Sequence, residues 1–392
     1  MNASESLPVI RRGRWSVAGV FFTNGLLVGS WAPQIPLLLG RLHLTSFMLG
    51  LLLLLFGAGA VASMVWCGQL IGRFGSRRVA EGFACYAVCG LPIIVLAPNV
   101  FLVAPALFTF GATLGGMDVA MNANAVEVER RLRRAIMSSS HGFWSLGGFA
   151  GGGLGGLVIE HWGALPHAFL VAGIAATIAF AATRGMITEA RPPAARKFGF
   201  SLPRKPAIYL VGIMALFSMV PEGAILDWAA LYLKQERGAS IAAASFAFAA
   251  FSGSMALTRF AGDGLRNLYG AAATLRASSL LAASAILAAG RLSDPGWAIA
   301  AFALAGFGVA NMVPILFSAA GNQPDLSTAA GLSTVSLMGY TGILFAPSLI
   351  GFAGGHLGFA AVFTALPVLL LVVFFLAGLA RAADRPRFQD NT

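Results

Sequence analysis

The segment Gly115-Gly116-Met117-Asp118-Val119-Ala120-Met121-Asn122 sits inside an apolar run, 101–127, long enough to cross a bilayer as a single helix. A carboxylate at that depth costs about 3 kcal/mol on insertion scales unless it has a partner or a function. Asp118 therefore pairs, caps a helix break, or carries part of the protein's chemistry. Outward from it the chain is of one kind. Hydrophobic residues make up 58% and charged residues 10%, against roughly a quarter charged in soluble domains, so a water-soluble protein is excluded.

Eleven further apolar segments can be placed, and the full set predicts spans near 15–39, 45–71, 79–97, 101–127, 136–160, 166–183, 207–233, 239–262, 277–291, 296–319, 328–352 and 357–380. The first run follows Arg11, Arg12 and Arg14. It is too long for a signal-peptide core and lacks a small-x-small cleavage site, so it reads as a retained helix. The net charge of +11 does not point to nucleic acid, because the basic residues lie in short clusters between apolar runs. With the N-terminus inside, almost all Lys and Arg fall on inside segments, so both termini are expected in the cytoplasm of a cell with the protein in its inner membrane. Trp15, Trp66, Trp162 and Trp297 fall near span ends, as an interfacial belt would; Trp31, Trp144 and Trp228 are candidates for the interior. The longest loop, basic and carrying Pro192, Pro193 and Pro203, divides the chain into an N-terminal bundle (1–183), a cytoplasmic linker (184–206) and a C-terminal bundle with a short tail (207–392).

The halves look like copies. Ser145-Leu146-Gly147-Gly148-Phe149-Ala150-Gly151 matches Ser336-Leu337-Met338-Gly339-Tyr340-Thr341-Gly342 at an offset of 191, and the same offset relates Gly72 to Asp263. The expected fold is an all-α polytopic membrane protein, with twelve transmembrane helices in two six-helix pseudo-repeat bundles around a central cavity.

Gly68-Gln69-Leu70-Ile71-Gly72-Arg73-Phe74-Gly75-Ser76-Arg77-Arg78 resembles the loop signature of the major facilitator superfamily, with Gly72 where that family usually has Asp. Asp118 to Asn124, Met137 to Gly142 and Glu222 to Trp228 further resemble its fucose-permease-related, MosC-like/YbjJ-like branch. The resemblance implies alternating access and a monomer. It also implies gating by the loop residues Gly68, Gly72, Arg73, Gly75, Arg77 and Arg78 and, in the second half, by Arg259, Asp263 and Arg266.

Polar residues cluster in the first helix of each three-helix unit: Asn24, Asp118 with Asn122, Glu222 with Asp227, and Asn311. In the superfamily these helices line the cavity. Asn24 and Trp31 share a face, and Asp118 and Asn122 are one turn apart. Amides beside an indole suit a small polyhydroxy or amine solute. Asn24 admits an interhelical bond equally well. Desolvation disfavours the charged form of a carboxylic acid, which makes Asp118 a natural proton carrier. Glu222 and Asp227 lie about 140° apart on a helix, so one of them is expected to face the cavity. Trp228 follows directly. His141, three residues before Trp144, is either a relay or a packing residue. Glu127 and Glu129 beside Arg130 and Arg131 read as a local ion-pair cluster.

Enzymatic function is not expected: five scattered histidines show no metal spacing, and Cys67, Cys85 and Cys89 read as packing residues. No phosphate-binding loop is present, and Gly151-x-Gly153-x-x-Gly156 follows no strand, so neither ATP nor a dinucleotide cofactor is implied. The chain reads as a secondary transporter of a small polar solute (sugar, cyclitol or amino-cyclitol) coupled to protons. The alternatives are a proton antiporter exporting drugs or metabolites and a non-transporting sensor.

Overall fold

The computed structural model describes residues 7–132, 136–188, 205–323, 326 and 328–384, so most of the expected linker lies outside the described residues. Every regular element among them is helical. The first half forms α1 (Leu7–Trp31), a 3-10 turn (Ala32–Gln34), α2 (Ile35–Arg41), α3 (Ser46–Phe74), α4 (Ser76–Ala87), α5 (Gly90–Leu96), α6 (Val100–Leu132), α7 (Met137–Trp162) and α8 (Ala164–Gly185). The second forms α9 (Pro206–Glu236), α10 (Ile241–Tyr269), α11 (Ala271–Arg291), α12 (Pro295–Val309), α13 (Met312–Gly321), α14 (Thr328–Leu357), α15 (Phe359–Ala365), α16 (Pro367–Leu376) and a closing 3-10 stretch, Ala377–Asp384.

Taken with their continuations, eleven of these stretches are long and apolar enough to cross a membrane. The twelfth unit is α1. Its second half, Thr23 to Trp31, is entirely buried against other helices, so it needs no lipid-facing apolar stripe and tolerates Asn24 and Ser30. Four expected spans are broken: the first at the 3-10 turn between α1 and α2, the third between α4 and α5, the tenth between α12 and α13, the twelfth at Leu366. Each break lies just before a proline (Pro36, Pro92, Pro314, Pro367), which lacks the N–H that would continue the ladder. Such breaks are tolerated within a bundle because neighbouring helices satisfy the freed carbonyls.

The duplication is written in the helix ends. Thr45 and Ser240 accept from the backbone N–H three residues on, and start α3 and α10. Asn99 and Asp294 do the same before α6 and α12. Gly75 and Gly270 take positive φ (83° and 78°) after α3 and α10, as Gly163 and Gly358 do (89° and 85°) after α7 and α14. All four pairs are 195 residues apart, one helical turn beyond the expected offset of 191. The residue equivalent to Gly72 is therefore Asn267, and Asp263 falls one turn earlier.

Helix α7 holds the two halves through separate glycine faces. A side chain on Gly147 or Gly151 would strike the backbone of α1 within its own half. Gly148, Gly152 and Gly156 instead face Ser252, Phe248 and Ser245 on α10, across the boundary between halves. Small residues at these places let backbones approach and permit sliding. Further contacts cross at the end away from the basic loops. Ser348 Oγ donates to Gly50 O (3.2 Å), Phe47 meets Phe352 edge-on at 6.0 Å, and Glu160 accepts from Ala242 N (2.8 Å) and Ser240 Oγ (3.1 Å). The indoles divide as expected. Trp15, Trp66, Trp162 and Trp297 are each about two-thirds exposed, whereas Trp31 and Trp228 are buried.

Candidate functional site: a polar cluster between the halves

Asp118, on α6, is half-buried, and Asn122 one turn on donates to its side chain (3.2 Å) and its carbonyl (2.9 Å). Among the described residues no cation pairs with it. Beside it Cys67 Sγ donates to Gly116 O (3.2 Å), which anchors the thiol in the same polar layer.

Glu222, on α9, faces Arg259 of α10, with Oε1 3.7 Å from Nη2. Arg259 is tied equally to the other half: its Nη1 donates to Ser145 Oγ on α7 (2.7 Å), and its carbonyl accepts from Ser138 Oγ (2.7 Å). Arg259 was expected in a gating loop; it lies instead inside α10, nearly three turns before the helix ends. A basic residue at a span end reads as topogenic, and its carboxylate partner sits on a different helix, out of reach of local pattern. His141 packs edge-on against Phe21 (5.1 Å) and lies within electrostatic reach of Arg259. Tyr340 of α14 lies within electrostatic reach of both Asp118 and Glu222. It was not among the expected site residues, although it is the aromatic of the repeated S-L-x-G motif.

The remaining candidates divide. Asn24 is spent structurally: it donates to Leu114 O (3.1 Å) and accepts from Trp144 Nε1 (2.9 Å), joining α1, α6 and α7. Trp31 and Trp228 are packed, each with an unpartnered indole N–H, and Trp228 stacks on Phe359 (5.1 Å, 26°). Asp227 is half-buried, and no ion pair holds it among the described residues. Asn311 is buried at the break between α12 and α13. Glu127 pairs with Arg130 and Arg131 (2.6 Å each), and Glu129 accepts from Ile136 N and Met137 N at the start of α7, a local cluster as expected.

Of the residues expected in the first gating loop, Gly68, Gly72 and Arg73 lie instead in the last turns of α3, where Gly68 and Gly72 are exposed and a side chain on either would meet nothing within 4 Å. Gly75 makes the turn with its positive φ, and Arg73 lies over the ring of Phe74 (5.1 Å). Arg77 and Arg78 flank the start of α4, and no ion pair holds them among the described residues. In the second half Arg266, also expected in a loop, lies in the last turn of α10; it bonds Ser318 Oγ (3.1 Å) and Ala383 O and approaches Asp384 (3.8 Å), tying α10 to the closing 3-10 stretch. The side chain of Asp263 lies outside the described residues.

Among the described residues, twelve helical units in two repeated halves with charged side chains between them define a membrane transporter fold. A family model, the Major Facilitator Superfamily, matches residues 16–324, and the chain belongs to that superfamily. It is 36% identical over 368 residues to an MFS-type transporter of Yersinia pestis, covering 93% of this chain and 94% of that one. It is 32% identical over 336 residues to the membrane protein MosC of Rhizobium meliloti, covering 86% and 82%. Among solved structures, a mutant of the nucleoside transporter NupG superposes with a TM-score of 0.72 at 12% identity, over 94% of this chain and 99% of that one. A bacterial homologue of the human lysosomal transporter Spinster, in an inward-facing and unoccupied conformation, gives 0.68 at 15% identity, over 97% and 98%. At such identities these structures speak for the fold alone.

Proposed function

We propose that the protein is a proton-coupled secondary transporter that moves a small polar organic solute, of the sugar, cyclitol or amino-cyclitol type, by alternating access. It would sit in the inner membrane with both termini cytoplasmic, the orientation that the charge distribution favours. The observation that carries the coupling is Asp118: a carboxylate in mid-span, bonded to an amide and, among the described residues, without a cation. A proton on it removes the charge that would otherwise oppose passage through a closed intermediate. Asn122 and Tyr340 supply the hydrogen-bonding groups that would orient a hydroxylated solute beside it. The glycine face of α7 against α10 would be the surface on which the halves rock.

The test uses the full-length protein in vesicles with an imposed proton gradient and a panel of sugars, cyclitols and amines. Solute accumulation that follows the gradient in wild type and vanishes in Asp118→Asn supports the reading. Gradient-driven accumulation that persists in the variant removes Asp118 as the coupling group.

A further inference from the structure

Arg259 brings a permanent positive charge into the cluster, and half of its hydrogen-bonding edge is idle. Nη1 is engaged by Ser145 Oγ. Nη2 stands 3.7 Å from Glu222 Oε1, beyond hydrogen-bond distance, and Nε has no partner among the described residues, although the side chain is only 10% exposed. In a guanidinium the Nε–H and one Nη2 hydrogen point the same way and form a fork that receives both oxygens of a carboxylate. That fork is the unoccupied edge here.

The imbalance has a direction. Asp118, Glu222 and Asp227 can each shed their charge by taking a proton, whereas a guanidinium cannot lose one. The charge that must find an external partner is therefore the positive one. The neighbourhood is open as well: Glu222 is 24% exposed, and a side chain on the adjacent Gly223 would meet nothing within 4 Å.

We propose that the Nε–Nη2 fork of Arg259 receives a carboxylate group of the transported solute, so that the preferred cargo is an acidic polyhydroxy compound, of the aldonic or uronic acid class, over its neutral parent. This rests on the transporter reading and narrows its substrate class. Glu222 then stands as the internal competitor for the same fork. The groups facing it are Arg259 on α10 and Tyr340 on α14, with Asp118 on α6 beyond Tyr340, His141 on α7 beside Arg259, and Asp227 on its own helix. A proton from water neutralises Glu222 and releases its hold, the solute's carboxylate takes the fork, and the proton returns to water on the other side. With the proton carried on Asp118, two protons accompany one monoanion, a net charge of +1 per cycle, and no bond of the solute changes.

Binding to the purified full-length protein is measured calorimetrically across a pH series with D-gluconate and D-glucuronate against D-glucose and myo-inositol. The acids are expected to bind at least about tenfold more tightly than the neutral compounds. Arg259→Lys, which keeps the charge but loses the planar fork, is expected to erase that preference. Glu222→Gln is expected to retain it and to flatten its pH dependence. Equal binding of acid and neutral parent in wild type, or an undiminished acid preference in Arg259→Lys, would overturn the proposal. So would absence of acid binding in both wild type and Glu222→Gln. If neutral sugars or amines are still driven by a proton gradient in vesicles of the same preparation, the transporter reading survives that loss; if nothing is driven, both fall.

Discussion

Asp118 and Glu222 are carboxylates of one polar layer, contributed by opposite halves, and they differ in what stands across from them. Asp118 faces an amide from its own helix, while Glu222 faces a guanidinium from the next helix, itself held by a serine of the other half. The first arrangement leaves a group whose charge is its own affair; the second ties a charge to the seam between halves. Proton carriage alone thus falls on Asp118, whereas a proton on Glu222 also loosens a restraint between the halves, although both are simply acids within apolar spans.

The sharpest way to break this comparison is to remove the charge of Asp118 and then the partner of Glu222. Asp118→Asn is expected to reduce gradient-driven accumulation to the level of empty vesicles while solute exchange at equal pH persists, because the cavity keeps its hydrogen-bonding groups. Loss of both activities would make Asp118 a solute ligand first. Arg259→Gln strands Glu222 and is expected to cost roughly 1–3 kcal/mol, below the figure for a fully buried pair because Glu222 is 24% exposed. The double variant Glu222→Gln, Arg259→Gln should recover part of that loss in thermal unfolding, and strictly additive losses would mean that the two do not interact.

A smaller effect tests the amide. Asn122→Ala removes the donor to Asp118, with an expected cost of about 1 kcal/mol and a displaced pH midpoint of transport. Smallest is Trp144→Phe, which strips the indole donor from Asn24. It should cost about 1 kcal/mol or less and leave the pH midpoint in place. A moved midpoint there would extend the titrating cluster to α1.

Much of this was legible without coordinates because it depends on neighbours along the chain. Hydropathy located the helical units, with errors concentrated where prolines break them. The one-turn spacing of Asp118 and Asn122 put them on one helix face, though not the bond between them, and the placing of the tryptophans separated rim from interior. Asn24 was left open between ligand and interhelical bond, and its two partners, Leu114 and Trp144, decide for the latter.

The repeat shows where such reading slips. Glycines spaced by four look alike after a shift of one turn, so the motif at Ser145 and Ser336 suggested a register of 191. The capping residues, each bound to one helix end, sit at 195. The duplication was visible in the sequence, but its register required knowing where helices stop.

What the sequence determined by itself is a duplicated set of apolar helices carrying an acid in mid-span, because insertion into lipid depends on composition and on local backbone satisfaction. What only the tertiary structure decided is which acid meets a cation. Arg259 and Glu222 lie on different helices, with Ser145 on a third, and burial against one another, not spacing along the chain, sets that partnership.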